Sequence, residues 1–399
     1  MPALCYNGPL MRVLMVAPTP FFGDRGCHIR ILEEVRILRG LGVESLVVTY
    51  SVGRDHPEVP TVRAPRLPWV RTLPVGFSPH RPYLDVLLLG TTLRAARRFR
   101  PDVLHGHLHE GAAIASVVGR LVGRPAVADL QGSVAGEMIA HGHLPARGPL
   151  PAALRRVERW VLHWPARLLP SSANFARELV DVWRVPRERV VLIPDGIDPD
   201  FVRPGPAPDD LREQLGLVGK RVVLYLGVLT EYQGIDDLLA AWPAVMAAVP
   251  DAHLLLIGHP NVERYRARAA ELAPPGSVTL TGRIDYEKTP EYLALGDVGV
   301  SAKHVSTEAN GKLLNYMAMG IPSVAYDGAV SRELLGEAGV FAPMRDVPAL
   351  AAAMSRLLRD PHEQKLRGQA LRERVVAHFG WPALGRQLVD VYRTCLKER

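Results

Sequence analysis

The chain has 399 residues, 48% of them hydrophobic and 22% charged, which suits two ordinary globular domains and excludes a disordered or low-complexity protein. Its net charge of +7 lies wholly in residues 1–200, where 25 arginines and no lysine face 18 acids, while the remainder balances 23 bases against 23 acids. A basic half points to an anionic partner such as a phosphorylated substrate or anionic lipid headgroups; no aromatic-interleaved basic motif is present, so nucleic acid is not an expected partner.

Taken in chain order, residues 1–20 carry one arginine ahead of the apolar stretch and no small-residue cleavage site, so the stretch reads as a buried strand rather than a secretory signal. Cys5, Cys27 and Cys395 are an odd set without metal spacing, which predicts a reducing, cytoplasmic setting and no disulfide framework. RVLMVAP, a helix over 28–41, ESLVVTY, a helix near 87–99, DVLHG, a helix over 111–122 and PAVADL then alternate as in a parallel sheet covered by helices. Residues 151–169 show helical spacing, with Leu154, Val157, Val161 and Leu162 on one side, Arg155, Arg156 and Arg159 elsewhere, and Trp160 and Trp164 four apart. VLIPDGIDPDFVRPGPAP reads as a linker, and its Asp198-Pro199-Asp200 as turn chemistry rather than a metal motif.

The pattern then restarts with RVVLYLGVL, a helix over 235–249, AHLLLIG, a helix near 262–272, SVTLTG, a helix near 288–295, VGVSA, a short helix beginning near Gly311, and SVAYD. No apolar run reaches the roughly 20 residues that span a bilayer; VVLYLGVL at 222–229 is among the longest. Helical spacing over 346–359, 361–377 and 381–397 closes the chain. The predicted fold is therefore α/β, with two Rossmann-like domains at 1–200 and 201–380 and a C-terminal helix at 381–399 packing back toward the first.

Open parallel sheets bind ligands beyond the carboxyl ends of their strands, so the loops there hold the candidates. In the first domain Gly23 and Gly26 flank Arg25 just ahead of a helix that carries His28, a GxxG spacing that could offer N–H groups to a phosphate and that lacks the dinucleotide GxGxxG. His105, His107 and His109 alternate and would point one way in an extended chain, a pattern that can bind metal. Only Glu110 is near in sequence and no carboxylate pair completes such a site, so His107 is read as a hydrogen-bonding site residue, His105 as structural, and no metal is expected. Gln131, Ser133 and Glu137 offer amide, hydroxyl and carboxylate groups to an acceptor's hydroxyls, although Ser133 also suits a helix cap.

In the second domain the loops supply Gly227, Gln233 and Lys303, and residues 306–328 read STEANGKLLNYMAMGIPSVAYDG. There Glu308, Asn310, Gly311, Lys312 and Asn315 gather at the start of a helix, whose first turn attracts anions; a plain cap by Asn310 or Gly311 is the alternative. Lys312, Asn315, Tyr316 and Met319 are expected on one face, opposite Leu313, Leu314 and Met317.

Taken jointly, PDGID with Phe201 and Pro204, GVL with QGIDDLL, and EANGKLLNYMAMGIPSVAYD with Glu333 downstream resemble the family 4 glycosyltransferases of GT-B fold, from about residue 11 to the C-terminus. The resemblance implies two Rossmann-like domains facing across a cleft. It also implies retaining transfer from a UDP- or GDP-sugar to a glycan, lipid-linked or small-molecule acceptor, with no metal or other cofactor required and catalysis resting on positioning and charge stabilisation at the leaving diphosphate. Glu308 would hold donor-sugar hydroxyls, with His107 and Gln131 nearby and Gln131 standing where relatives place a histidine. Asn315 replaces a ribose-binding glutamate, and Val228 and Gln233 replace the family's phosphate-binding Arg and Lys, so that Arg25, Lys303 and Lys312 are left to face the diphosphate. A sugar-nucleotide epimerase on the same scaffold and a non-catalytic nucleotide-sugar-binding protein are the competing expectations. The arginine-rich segment adds an expectation of peripheral contact with anionic membrane at its cytoplasmic face.

Overall fold

The computed structural model describes residues 11–23, 26–73, 78–140, 144–304 and 310–398, the side chains of Glu137 and Ala140 excepted. The chain divides into two units, residues 1–195 with 381–399, and residues 196–380. The division falls between Asp195 and Gly196 rather than at residue 200, and the C-terminal helix is counted with the first unit.

The first unit runs β1 (Met11–Ala17), α1 (Gly26–Gly40), β2 (Val43–Thr49), β3 (Thr61–Arg63), α2 (Arg81–Phe99), β4 (Val103–His107), α3 (Leu108–Val122), β5 (Ala126–Leu130), α4 (Val134–Ala140), α5 (Pro149–Leu162), β6 (Arg167–Pro170) and α6 (Ala173–Asp181). Its six parallel strands are ordered β3-β2-β1-β4-β5-β6, so the strand order reverses between β1 and β4. Helices cover both faces of such a sheet, which is why β4 and β5 are buried along their whole length.

In the second unit the elements are α7 (Asp209–Gln214), β7 (Arg221–Leu226), α8 (Ile235–Ala248), β8 (Ala252–Ile257), α9 (Val262–Leu272), β9 (Val278–Gly282), α10 (Thr289–Leu293), β10 (Val298–Ser301), α11 (Gly311–Ala318), β11 (Ser323–Tyr326), α12 (Ala329–Leu335), β12 (Val340–Ala342), α13 (Val347–Arg359) and α14 (Pro361–His378). The parallel order β12-β11-β10-β7-β8-β9 repeats the topology of the first sheet, with its reversal between β7 and β10. Trp242 of α8 and Tyr265 of α9 pack with the strands on one face, and Leu313, Tyr316 and Met317 of α11 pack on the other. The last helix, α15 (Trp381–Lys397), lies on α1, where a Cβ at Gly385 would stand 2.5 Å from Ile37 Cγ1.

One expected helix is shorter than its spacing implied. The apolar pattern over 151–169 breaks after Leu162, and Arg167–Pro170 instead forms β6. Within α5 the predicted apolar side holds in part: Val161 and Leu162 are buried and Leu154 is half-buried, while Val157 is 56% exposed and Glu158 is buried. Glu158 takes the core-facing position because its carboxylate accepts from Ser133 Oγ and from the N–H groups of Val134 and Ala135, and lies 3.1 Å from His109 Nε2.

Candidate functional site

In the second unit the candidate residues meet where the strand order reverses, the place at which doubly wound sheets bind ligands. Gly227 follows β7, and Gly258 after β8 closes on it so tightly that a Cβ there would stand 1.7 Å from the Gly227 carbonyl oxygen. Gly234 opens α8 with φ of +74°, a left-handed conformation that also brings its backbone against Ala302, 1.9 Å from the position of a Cβ. Asp237 on the first turn of α8 then accepts from Tyr326 Oη at 2.7 Å and pairs with His304 Nε2 at 2.8 Å, tying the loop after β10 to that helix.

Lys312 of α11 crosses this loop cluster. Its Nζ donates to Gln233 Oε1 at 2.6 Å and reaches Asn310 Oδ1 at 3.4 Å, while standing 5.0 Å from the centre of the Tyr225 ring. Its stem passes 3.2 Å from where a Gly227 side chain would begin. Asn310 occupies the N-cap position of α11, yet its amide is turned to Ser301 Oγ at 3.0 Å and makes no cap bond, so the plain-cap reading does not hold for its side chain. The arrangement therefore places an ammonium and an N-terminus with no side-chain cap beside a glycine turn, a combination suited to oxyanions. Lys303 follows β10 and is buried. Asn315 spends its amide on the Gly311 carbonyl at 3.0 Å and keeps its buried Oδ1 without a protein partner.

The expected polar face of α11 is narrower than the spacing indicated. Tyr316 and Met319 are buried, and Tyr316 Oη accepts from the Leu226 N–H at 2.8 Å, which holds the end of β7 in place. Glu308 lies outside the described residues, as do Arg25 and the side chain of Glu137.

The first unit presents a different arrangement. His107 ends β4 at 2% exposure, with Nδ1 3.1 Å from Asp129 Oδ2, so it belongs to a buried network and not to a surface that meets a sugar. At the centre of that network, Arg30 of α1 donates Nε to Asp129 at 2.6 Å, Nη1 to Asp195 at 2.8 Å and Nη2 to the Ile193 carbonyl at 3.0 Å, and lies 3.1 Å from Glu34. Burial opposes the arginine's charge, but Asp129, Glu34 and Asp195 outweigh it and push its pKa further up. Burial would raise Asp129 as well; the Arg30 charge and the His107 contact hold it below the usual carboxylate range. Glu34 is pushed up to about 7 by burial and by the Asp129 charge. His105 is lowered by burial and by His107, stacks on the His107 ring at 4.4 Å and bonds the Tyr392 hydroxyl at 2.7 Å, a structural role as expected of it.

His109 departs from the alternating trio because β4 stops at His107 and α3 begins at Leu108, turning His109 toward Glu158. Ser133 caps α4 through Gly136 N at 3.1 Å while donating to Glu158, so its hydroxyl is engaged within the fold. His28 is 1% exposed, paired with Thr19 Oγ1 and set against Phe21 and Phe22, a core position rather than an acceptor contact. A Cβ at Gly23 would stand 3.3 Å from the His28 ring, a tight approach, whereas a Cβ at Gly26 would meet no atom within 4 Å, so packing bears on the first glycine of the GxxG spacing and not on the second. Gln131 follows β5 half-buried. Arg30, Glu34 and Asp129 were not among the candidates; the signal was an i,i+4 Arg–Glu pair on the core face of a helix, IRILEE, where apolar residues belong.

Two six-stranded Rossmann-type sheets, one of them with a cationic loop cluster at its switch point, define a two-domain α/β protein. Residues 25–201 match the family model for Glycosyltransferase Family 4, and residues 220–360 that for glycosyl transferases group 1. The chain is 29% identical to a D-inositol 3-phosphate glycosyltransferase of Acidothermus cellulolyticus, over 97% of this chain and 91% of that one. It is 26% identical to a phosphatidyl-myo-inositol mannosyltransferase of Mycolicibacterium smegmatis, over 96% and 94%. The solved sucrose-phosphate synthase of Thermosynechococcus elongatus shares the fold with a TM-score of 0.80 at 22% identity, covering 98% of this chain and 100% of that one. The protein belongs to the family 4 glycosyltransferases, and it is an enzyme of that class with their GT-B fold.

Proposed function

We propose that this glycosyltransferase takes its sugar from a UDP- or GDP-sugar and transfers it, with retention of anomeric configuration, to a phosphate-bearing polyol or glycan acceptor, free or lipid-linked. The observation that carries the donor half is the Lys312 ammonium 2.6 Å from the Gln233 amide oxygen. Residue 233 is where the family pattern has a phosphate-binding lysine, and here α11 brings an ammonium to the same spot. Lys312, the first turn of α11 and the Gly227 turn then receive the diphosphate, and Asn315 meets the ribose hydroxyls. Charge developing on the leaving diphosphate is stabilised by these groups, and the acceptor's proton passes to the departing phosphate, so the transfer step itself asks for no metal cofactor.

Anionic acceptors are favoured by two observations: the relatives named above act on an inositol phosphate and a phosphatidylinositol, and the first 200 residues carry all the excess positive charge. A thermal-shift screen tests the donor assignment. UDP or GDP at about 100 times its dissociation constant should stabilise the protein by roughly 2.7 kcal/mol, whereas absence of any shift with all nucleoside diphosphates contradicts the proposal. Glu308 is assigned to the donor-sugar hydroxyls as the one carboxylate in the loop that enters α11. Glu308→Gln should keep the wild-type circular dichroism and lose most turnover; wild-type rates would remove Glu308 from the site.

The same reading places the enzyme in the cytoplasm, at an anionic membrane surface. No helix among the described residues is long and apolar enough to cross a membrane. On α5, however, Leu150, Val157 and Trp160 are 56–62% exposed beside the exposed Arg155, Arg156 and Arg159. Apolar side chains interleaved with arginines favour the headgroup boundary, at about 1 kcal/mol per basic residue. Co-sedimentation with anionic vesicles should fall as salt rises, and Arg155→Glu with Arg159→Glu should weaken it roughly thirtyfold. Retention in the supernatant at low salt, or unchanged binding by the double variant, would leave only a soluble acceptor.

A further inference from the structure

We infer that the first unit holds a buried structural site for a divalent first-row transition cation, built from Glu34, His105, His107 and Asp129. One ligand atom from each of the four residues lies within 4.8 Å of the others, and among the described residues no other such group of three or more occurs. The side chains come from three elements: Glu34 from α1, the two histidines from β4, and Asp129 from β5, where the strand register sets it opposite His107. All four are at most 2% exposed. The fold thus supplies the carboxylate pair that the HGH sequence lacks in its own neighbourhood.

The hydrogen-bond pattern provides the independent support. Oε2 of Glu34, Nε2 of His105, Nε2 of His107 and Oδ1 of Asp129 are buried without a hydrogen-bond partner, while Oε1 of Glu34 pairs with Arg30. Four such atoms in one place are a large desolvation cost for a fold that binds nothing there, because a buried polar atom is normally paired. Each histidine has its Nδ1 engaged by an oxygen, Tyr392 Oη for His105 and Asp129 Oδ2 for His107. For His107 the carboxylate accepts, which puts the ring proton on Nδ1 and leaves Nε2 as a lone pair, an arrangement that orients metal-binding histidines; for His105 the Tyr392 hydroxyl can accept the Nδ1 proton and give the same tautomer. Glu34 Oε2 stands 3.8 Å from His107 Nε2. That separation is too long for a hydrogen bond, yet two ligands bonded at about 2.1 Å to a common ion stand roughly 3.0–3.8 Å apart.

Charge balance points the same way. Glu34, Asp129 and Asp195 surround the single Arg30 guanidinium, more carboxylates than one guanidinium balances. Imidazole with carboxylate suits zinc, and the burial of all four side chains suits a structural ion rather than a catalytic one.

The probe is the full chain, stripped with chelator and then given Zn2+ or Co2+. The expected results are one tightly held equivalent per chain by elemental analysis and, for Co2+, the visible absorption of a four-coordinate nitrogen and oxygen site. Thermal unfolding should rise by roughly 5–10 °C at a hundredfold excess over the dissociation constant. His107→Gln and Glu34→Gln should each lose the Co2+ band. If these variants fail to fold, X-ray absorption on the wild-type zinc protein decides, with two imidazoles in the coordination shell expected. No retained metal with no thermal shift, a shell without two imidazoles, or an unchanged Co2+ band in a folded His107→Gln variant would each overturn the site.

Discussion

Arg30→Met is expected to destabilise the first unit by about 3–5 kcal/mol, the usual cost of removing one partner from a buried ionic network. The guanidinium is 4% exposed and holds Asp129, Asp195 and the Ile193 carbonyl at 2.6–3.0 Å, with Glu34 at 3.1 Å. A methionine of similar length fills the space and leaves three carboxylates facing one another without a counter-charge. Its fork also joins α1, β5 and the end of the first unit's chain at Asp195, so the loss is shared by three segments. Arg30→Lys keeps the charge but not the planar set of donors and should fall between the two. Denaturant unfolding of the three proteins measures this directly, and a change below about 1 kcal/mol for Arg30→Met would mean that the carboxylates are neutral or solvated in the folded protein.

Lys312→Ala is expected to weaken UDP or GDP binding by about 10- to 150-fold, the equivalent of the roughly 1.5–3 kcal/mol carried by a hydrogen bond to a charged group. Binding of the corresponding nucleoside, which has no phosphate, should change little. The prediction rests on the Lys312 side chain lying over Tyr225 and against the Gly227 turn with its ammonium held by Gln233, a position fixed before any ligand arrives. Lys312→Arg, which keeps the charge, should recover part of the diphosphate affinity. Calorimetry with both ligands separates the cases: equal weakening of nucleoside and nucleoside diphosphate would assign Lys312 a purely structural part.

The elements with strong periodic patterns were legible in the sequence, because each is fixed locally. Val262–Leu272 and Trp381–Lys397 show their apolar stripes within the segment itself, and β1 and β8 are mainly apolar, as a sheet covered on both faces demands. The short edge strands Thr61–Arg63 and Val340–Ala342 were not foreseen, since three residues carry no period and owe their strand form to a neighbour. The helix expected over 151–169 ends at Leu162 and buries Glu158 beside Val161 and Leu162 for a related reason: Glu158 is buried because His109 and the start of α4 come to meet it.

The site divides along the same line. Gly227, Gln233, Asn310 and Lys312 could be gathered from their positions after strands of an alternating pattern, and three of the four are bonded together through Lys312. What the sequence could not give was which side chains the fold would spend on itself. Ser133 and His28 have partners inside their own unit, and His107 is committed to Asp129, 22 residues away on the next strand. The Arg30–Asp195 contact spans 165 residues, so nothing local marks the helix residue as the centre of a network.

Retaining transfer from a nucleotide diphosphate sugar is read from the anomeric proton of the product by NMR. The purified enzyme is supplied with a panel of UDP- and GDP-sugars of α configuration and with phosphorylated polyol acceptors. Turnover of one donor to an α-linked product, with release of the nucleoside diphosphate, is the expected result. A β-linked product, an epimerised donor with no transfer, or tight donor binding without turnover would rule out the proposed reaction.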